Sequence, residues 1–199
     1  MTRTVKGLCF ALALIFLLGR GKVFATTPGE QIQETLQQVM AIMDGSSNAG
    51  EAEGRERLLR NALMPRFDWT GMAKRALGRH WDSVADRQDE FVAAFAEFLG
   101  NSYIGKIGSY KDEKILFVGE TTEKNLAQVD TKIVPTKGET ISVSYRLHRI
   151  QTDWKIYDVV VENISIVANY RSQFERILAK GTFDDLLKRL REKELKIRN

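Results

Sequence analysis

The stretch from Asp153 to Leu178, DWKIYDVVVENISIVANYRSQFERIL, constrains the chain more than any other. Its first part, Trp154 to Val161, is β-branched and aromatic and predicts a strand. Simple alternation puts Trp154, Ile156 and Val160 on one face and Tyr157, Val159 and Val161 on the other. A strand apolar on both faces is expected to be covered on both. Ser165 then fits a helix N-cap, because its hydroxyl can satisfy an orphan backbone N–H. Ile166, Val167, Tyr170, Phe174, Ile177 and Leu178 follow at helical spacing. A central strand therefore turns sharply into a helix that packs back on the sheet.

The rest of the chain arranges itself around that unit. After a loose start over Thr26–Gly29, Ile32, Leu36, Val39, Met40 and Met43 form the apolar face of a first helix. Asp44 to Gly54 is a Gly-, Ser- and Asn-containing loop without calcium-ligand spacing. A second helix from about Ala52 to Leu63 stops before Pro65. Asp68 caps a third, with Gly78 just past its end. A long helix from about Ser83 to Tyr110 carries Phe91, Phe95, Phe98, Leu99, Tyr103 and Ile107 on one broad face. Four strands follow, Ile115–Gly119, Leu126–Val134, Thr140–Arg149 and Trp154–Val161, with turns at Lys137-Gly138 and Gln151–Asp153. Short links between consecutive strands imply an antiparallel sheet. Past Gly181, Thr182 caps a last helix with a stripe of Phe183, Leu186, Leu187 and Leu190. Helices, a meander and two more helices define an α+β fold.

The N-terminus carries an address. Arg3 and Lys6 precede the apolar run Leu8–Leu18, and Val23 and Ala25 are the small residues of a cleavage site. This is the pattern of a secretory signal peptide, cut after Ala25, and the run is too short for a stop-transfer helix. Residues 26–199 form one expected domain. Removing Arg3, Lys6, Arg20 and Lys22 takes 30 basic residues to 26, against 26 acidic ones, so the mature chain is formally neutral. It has no basic excess for general nucleic-acid binding. Cys9 is the chain's one cysteine, so the mature protein has neither a disulfide nor a thiolate site.

Reactive constellations are absent as well. His80 and His148 are far apart and no other ligands cluster with them, so no metal site is expected. There is no G-x-S-x-G elbow and no phosphate-binding glycine loop. Asp158, alternating with Ile156 and Val160, is expected to face inward, where a carboxylate needs pairing. Arg171, just beyond the turn, is its expected structural partner; a head-group or catalytic role is the alternative.

Several ordered segments carry a family resemblance. WKIYDVVVENISIVANYRSQF, FDWTGMAKRALGRHW (Phe67–Trp81), DEFVAAFAEFLGNSYIGKIGSY (Asp89–Tyr110) and ISVSYRL (Ile141–Leu147) resemble the MlaC family of periplasmic phospholipid carriers, also called toluene-tolerance or Ttg2-type proteins. The similarity spans roughly Glu30 to Leu190. At Asn163 the family often has Gly, and Asn also tolerates a left-handed turn. The resemblance implies a curved antiparallel sheet of about four strands, related to the nuclear-transport-factor-like cone, with helices enclosing a deep apolar pocket. It also implies a bound phospholipid as cargo rather than a cofactor, and no catalysis. Its implied partners are an inner-membrane Mla-type ABC transporter complex and an outer-membrane lipoprotein–porin complex, met by a monomer.

Within that resemblance, three groups of side chains are the expected pocket lining. They are the aromatic helix face Phe91, Phe95, Phe98 and Tyr103; the strand face Val129, Ile133, Val143 and Tyr145; and Ile156 and Val160 of the central strand. Val159 and Val167 are further candidates, because the strand's second face is also apolar. Two other readings stay open on the residues alone. One is a cone-fold enzyme, which would need Asp158 beside Tyr145, Tyr157 or a histidine deep in the pocket. The other is an envelope adaptor that holds no ligand. The basic residues of the last helix and tail, Lys188, Arg189, Arg191, Lys193, Lys196 and Arg198, read as a solvated face, with docking to an acidic complex as the alternative.

Overall fold

The computed structural model describes residues 26–45, 51–107 and 113–195; the predicted signal peptide lies outside them, as do Lys196 and Arg198. An antiparallel sheet runs in the order β1-β2-β3-β4-β5. Its strands are β1 (Lys114–Glu123), β2 (Leu126–Val134), β3 (Ile141–Ile150), β4 (Asp153–Val161) and the two-residue β5 (Ile164–Ser165). Four long strands match the expectation, and β5 adds a short fifth. Two-residue links join β1 to β2 and β3 to β4, through Lys124-Asn125 and Gln151-Thr152. Lys124 and Gln151 take positive φ there. Glu162 (φ 48°) and Asn163 (φ 66°) both do so in the β4–β5 turn. That is the pair of left-handed residues a tight hairpin with the sheet's twist requires.

Two bulges shape the sheet. In β1 the register shifts between Phe117 and Gly119, leaving Val118 extra. In β4, Leu147 pairs with Ile156 but Arg146 pairs with Asp158, leaving Tyr157 extra. A bulge bends its strand and increases local twist. It also moves later side chains to the opposite face. Beyond Tyr157, Val159 and Val161 therefore share the inner face with Trp154 and Ile156, paired across to Tyr145 and Val143. The strand is not apolar on two faces, as alternation suggests; it is apolar on one face, interrupted. Tyr157 packs under the Arg75 guanidinium, 4.4 Å from its ring centre, and against His148.

Six α-helices accompany the sheet among the described residues: α1 (Pro28–Asp44), α2 (Glu51–Leu63), α3 (Trp69–Leu77), α4 (Gln88–Ile107), α5 (Ile166–Leu178) and α6 (Phe183–Arg191). The starts follow local chemistry. Thr27 and Glu30 form a reciprocal capping box on α1, so the start expected to be loose is ordered. The Glu120 carboxylate also accepts from the Gly29 N–H, placing an anion at the positive end of α1. Asp68, Ser165 and Thr182 cap α3, α5 and α6, each accepting an N–H of the first turn. Each such cap contributes about 1 kcal/mol. Gly78 ends α3 at φ +59°, where a side chain would also meet Arg171. The long helix begins later than expected, because residues 82–87 wind as 3-10 turns with Val84 out of helical geometry.

The outer edge of β4 is covered along its length. The Gln31 side-chain amide donates to the Trp154 carbonyl and accepts from its N–H. Asp68 N–H donates to Ile156 O at 2.8 Å, and β5 pairs with Val160 and Val161. The start of α1, the start of α3 and a hairpin together satisfy a strand edge that would otherwise be open.

Candidate functional site

Between α1, α2, α4 and the inner face of the sheet lies a cavity of about 1070 Å³. Drug-sized ligands occupy sites of about 300–1,000 Å³, so this one has room for a larger molecule. The sheet contributes Ile115, Ile133, Ile141, Val143, Tyr145, Ile156, Val159 and Val161. The first helix contributes Ile32, Leu36, Val39, Met40 and Met43, and α4 contributes Leu99, Gly100, Tyr103, Ile104 and Ile107. Phe67, Trp69 and Met72, at the start of α3, close it further. Phe67 stacks on Trp69 at 4.9 Å, and the Trp69 indole N–H donates to the Met64 carbonyl.

Six of the sequence-predicted lining residues border this cavity: Tyr103, Ile133, Val143, Tyr145, Ile156 and Val159. The other six do not. Phe91, Phe95 and Phe98 are fully buried in a packed cluster with Tyr170 and Phe174. Their rings meet edge-on: Phe95 lies 5.5 Å from Phe174, and Phe98 5.3 Å from Tyr170 at 90°. Val167 belongs to the same cluster. Val129 fills a second packed cluster with Ile32, Leu147 and Trp154. Val160 falls on the outer face because the Tyr157 bulge reverses the alternation after Ile156. The α1 face was legible as amphipathic, but nothing in its spacing distinguishes a wall from a core.

Two phenols, Tyr145 and Tyr103, stand in the cavity wall. Burial pushes the Tyr145 phenol up, against a smaller downward effect from Thr131. Burial also pushes up Tyr103, with Tyr170 beside it adding to the shift. Such phenols stay neutral at ordinary pH.

Asp158 is 4% exposed, yet its partner is not Arg171. Its carboxylate accepts from Ser165 Oγ at 2.7 Å, Val167 N–H at 3.1 Å and Arg146 at 3.2 Å. It thus secures the start of α5 to β4, a structural duty that satisfies a buried anion. Arg171 lies 4.0 Å from Glu175 instead. His148 Nε2 lies 2.9 Å from Asp68 Oδ2, on the side of the sheet opposite Tyr145. Asp158 and His148 therefore do not meet Tyr145 in the cavity as an acid–base set would require. Among the described residues, no three His, Cys, Asp or Glu gather where they could hold a metal ion.

Fold and cavity together define an α+β protein whose helices roof an apolar chamber on a bent antiparallel sheet. A family model described as MlaC protein matches residues 33–192, so the chain belongs to the MlaC family. Haemophilus influenzae has a relative described as the intermembrane phospholipid transport system binding protein MlaC. It is 20% identical over 185 residues, covering 89% of this chain and 86% of that one. The toluene tolerance protein ttg2D of Pseudomonas putida is 25% identical over 188 residues, covering 90% and 84%. A solved structure, a phospholipid-binding protein from Ralstonia solanacearum in complex with a phospholipid, superimposes with a TM-score of 0.72. It is 20% identical and covers 83% of this chain and 95% of that one. That likeness establishes the fold. No helix among the described residues is long and apolar enough to cross a membrane.

Proposed function

We propose that the protein is a periplasmic phospholipid carrier, made with a signal peptide that is cleaved after Ala25. The observation that carries this reading is the cavity: large, walled mainly by aliphatic, methionine and aromatic side chains, and, among the described residues, bordered by no acid, base or nucleophile in a catalytic arrangement. The names of the relatives in Haemophilus and Pseudomonas, and the lipid in the Ralstonia structure, support it. Acyl chains cannot cross water exposed, since each CH₂ contributes about 0.8 kcal/mol of transfer energy. A carrier must wall off the tails and leave the charged head at the mouth, where water still solvates it. On this reading phospholipid is cargo, no cofactor is used and no bond is made or broken.

The partners follow from the same reading. The carrier, as a monomer, takes and delivers lipid between an outer-membrane lipoprotein–porin complex and an inner-membrane Mla-type ABC transporter complex, keeping the outer membrane asymmetric. It has no nucleic-acid partner. Protein prepared without detergent from the periplasm of a lipid-replete cell should begin at Thr26 or within a few residues. Mass spectrometry of its organic extract should find diacyl phospholipid in near-equimolar amount. Retention of Met1 in a membrane fraction would overturn the compartment, and a lipid-free extract would overturn the carrier.

A further inference from the structure

Four of the chain's five methionines, Met40, Met43, Met64 and Met72, border the cavity, and the fifth is Met1. Leucine and phenylalanine are not gathered in this way: Leu36 and Phe67 line the chamber, whereas Leu186 and Phe91 lie in the packed cluster beside it. On the carrier reading the mature chain begins at Thr26. Cys9 and Met1 are then gone, and these four thioethers are all the sulfur it has.

The four also share a side. Met40 and Met43 are neighbours on one face of α1, Met64 opens the 3-10 turn that follows α2, and Met72 stands on α3. The sheet wall is isoleucine and valine, with Tyr145 among them. β-branched side chains are stiff at χ1. An unbranched thioether bends to fill an irregular space. The chamber thus has a firm wall and a compliant one, and the compliant one carries the sulfur. Met40, Met43 and Met64 are half-buried, whereas Met72 is 1% exposed and belongs also to the cluster with Phe91.

Thioethers are open to peroxide. The sulfur lone pair takes one peroxide oxygen, the O–O bond breaks, and the other oxygen leaves with both protons as water. Sulfur gives up an electron pair and peroxide gains it, and the product is a polar sulfoxide. Against hydrocarbon that oxygen needs a hydrogen-bond donor. Two donors on these elements are already engaged: Thr35 Oγ1 donates to Gln31 O at 2.8 Å, and Trp69 Nε1 to Met64 O at 2.9 Å. An acyl chain lying on the compliant wall covers the same sulfurs and keeps aqueous peroxide from them.

We propose, resting on the carrier reading, that Met40, Met43 and Met64 form an oxidation site that senses occupancy: peroxide converts them to sulfoxides in the empty carrier but not in the loaded one, and the sulfoxides then prevent reloading. To test it, full mature protein holding its resident phospholipid is compared with protein stripped by methyl-β-cyclodextrin, circular dichroism confirming the fold of both. Each is exposed to hydrogen peroxide, and sulfoxide at each methionine is followed by peptide mass spectrometry. Met40, Met43 and Met64 should oxidise several-fold faster in the stripped protein, with Met72 lagging in both. Oxidised stripped protein, still folded, should take up at least about five-fold less deuterated phosphatidylethanolamine from vesicles than its untreated counterpart, the effect of an unpaired polar group against hydrocarbon. The triple variant Met40→Leu, Met43→Leu and Met64→Leu, close in volume, should load normally and keep loading after peroxide, and each single variant should keep part of its uptake. Equal oxidation with and without lipid, full uptake by oxidised protein, loss of fold on oxidation, or folded variants that lose uptake to peroxide as wild type does would overturn the site. Untreated folded protein that holds no resident lipid and takes none from vesicles would instead overturn the carrier reading itself.

Discussion

The two halves of α4 are one continuous helix with opposite duties. From Phe91 to Phe98 its rings are locked against Tyr170 and Phe174 of α5, with Phe183 of α6 over Phe91. From Leu99 to Ile107 the same helix borders the cavity. The difference lies in what faces it. Opposite the first half stand α3, α5 and α6, with large side chains that interdigitate. Opposite the second half stand the α1–α2 hairpin and the curved sheet, whose bend keeps the two walls apart. A packed half gives the hollow half something rigid to stand on. Interiors tolerate few voids, so a chamber this size needs a separate core beside it.

The largest expected effect of breaking that division comes from the packed half. Phe95→Ala should cost about 3–5 kcal/mol in chemical denaturation, the usual loss for a buried phenylalanine. Protein still folded at low temperature should keep its lipid; a loss under about 1 kcal/mol would remove Phe95 from the rigid core. In the hollow half, Val143→Trp should displace co-purified lipid while costing less than the roughly 1–3 kcal/mol that overpacking a filled core costs. Melting temperature and lipid content measured on the same preparation decide it: a large destabilisation with lipid retained would mean Val143 is core.

A smaller effect belongs to the clasp between α6 and the start of α4. Hydrogen bonds from Arg87 and then Arg191 hold the Glu90 carboxyl below its ordinary value, and those from Thr182 do the same for Asp185. A carboxyl depressed by folding stabilises above its unfolded pKa, and that contribution is lost as pH falls through the depressed folded value. Acid should therefore loosen α6 before it disturbs the cavity. Methyl resonances of Leu186 and Leu190 should shift at a higher pH than those of Ile133 and Val143. The reverse order would show that the clasp is not the weaker part.

The same comparison shows what the residues disclosed and what they withheld. Caps at Asp68, Ser165 and Thr182 are local chemistry and were readable. So were the long strands, because period-two alternation survives over nine or ten residues. Asn163 in a left-handed turn was readable for the same local reason. The division of α4 was not, since a helix face is apolar whether a ring or a lipid covers it. Val160 was assigned to the wrong face because an extra residue in a strand leaves no mark in composition. Arg171 was offered to Asp158 on nearness in sequence, whereas Arg146 reaches it from the neighbouring strand. Pairings set by register belong to tertiary structure.

The Tyr157 bulge also sets a rule for how this sequence can change over generations. With the extra residue present, Val159 and Val161 turn inward and Asp158 and Val160 outward. The extra residue is the one the ladder can spare: without Tyr157, Ile156 still pairs with Leu147, Asp158 with Arg146 and Val159 with Tyr145, and each keeps its face. What the strand cannot absorb is Tyr157 drawn into the ladder opposite Arg146, because every later side chain would then exchange places. The chamber wall would offer a carboxylate where a valine stood, and the first turn of α5 would lose its anchor. Deletion at 157 removes the bend and an aromatic that packs on Arg75 and His148, while the lining keeps its register.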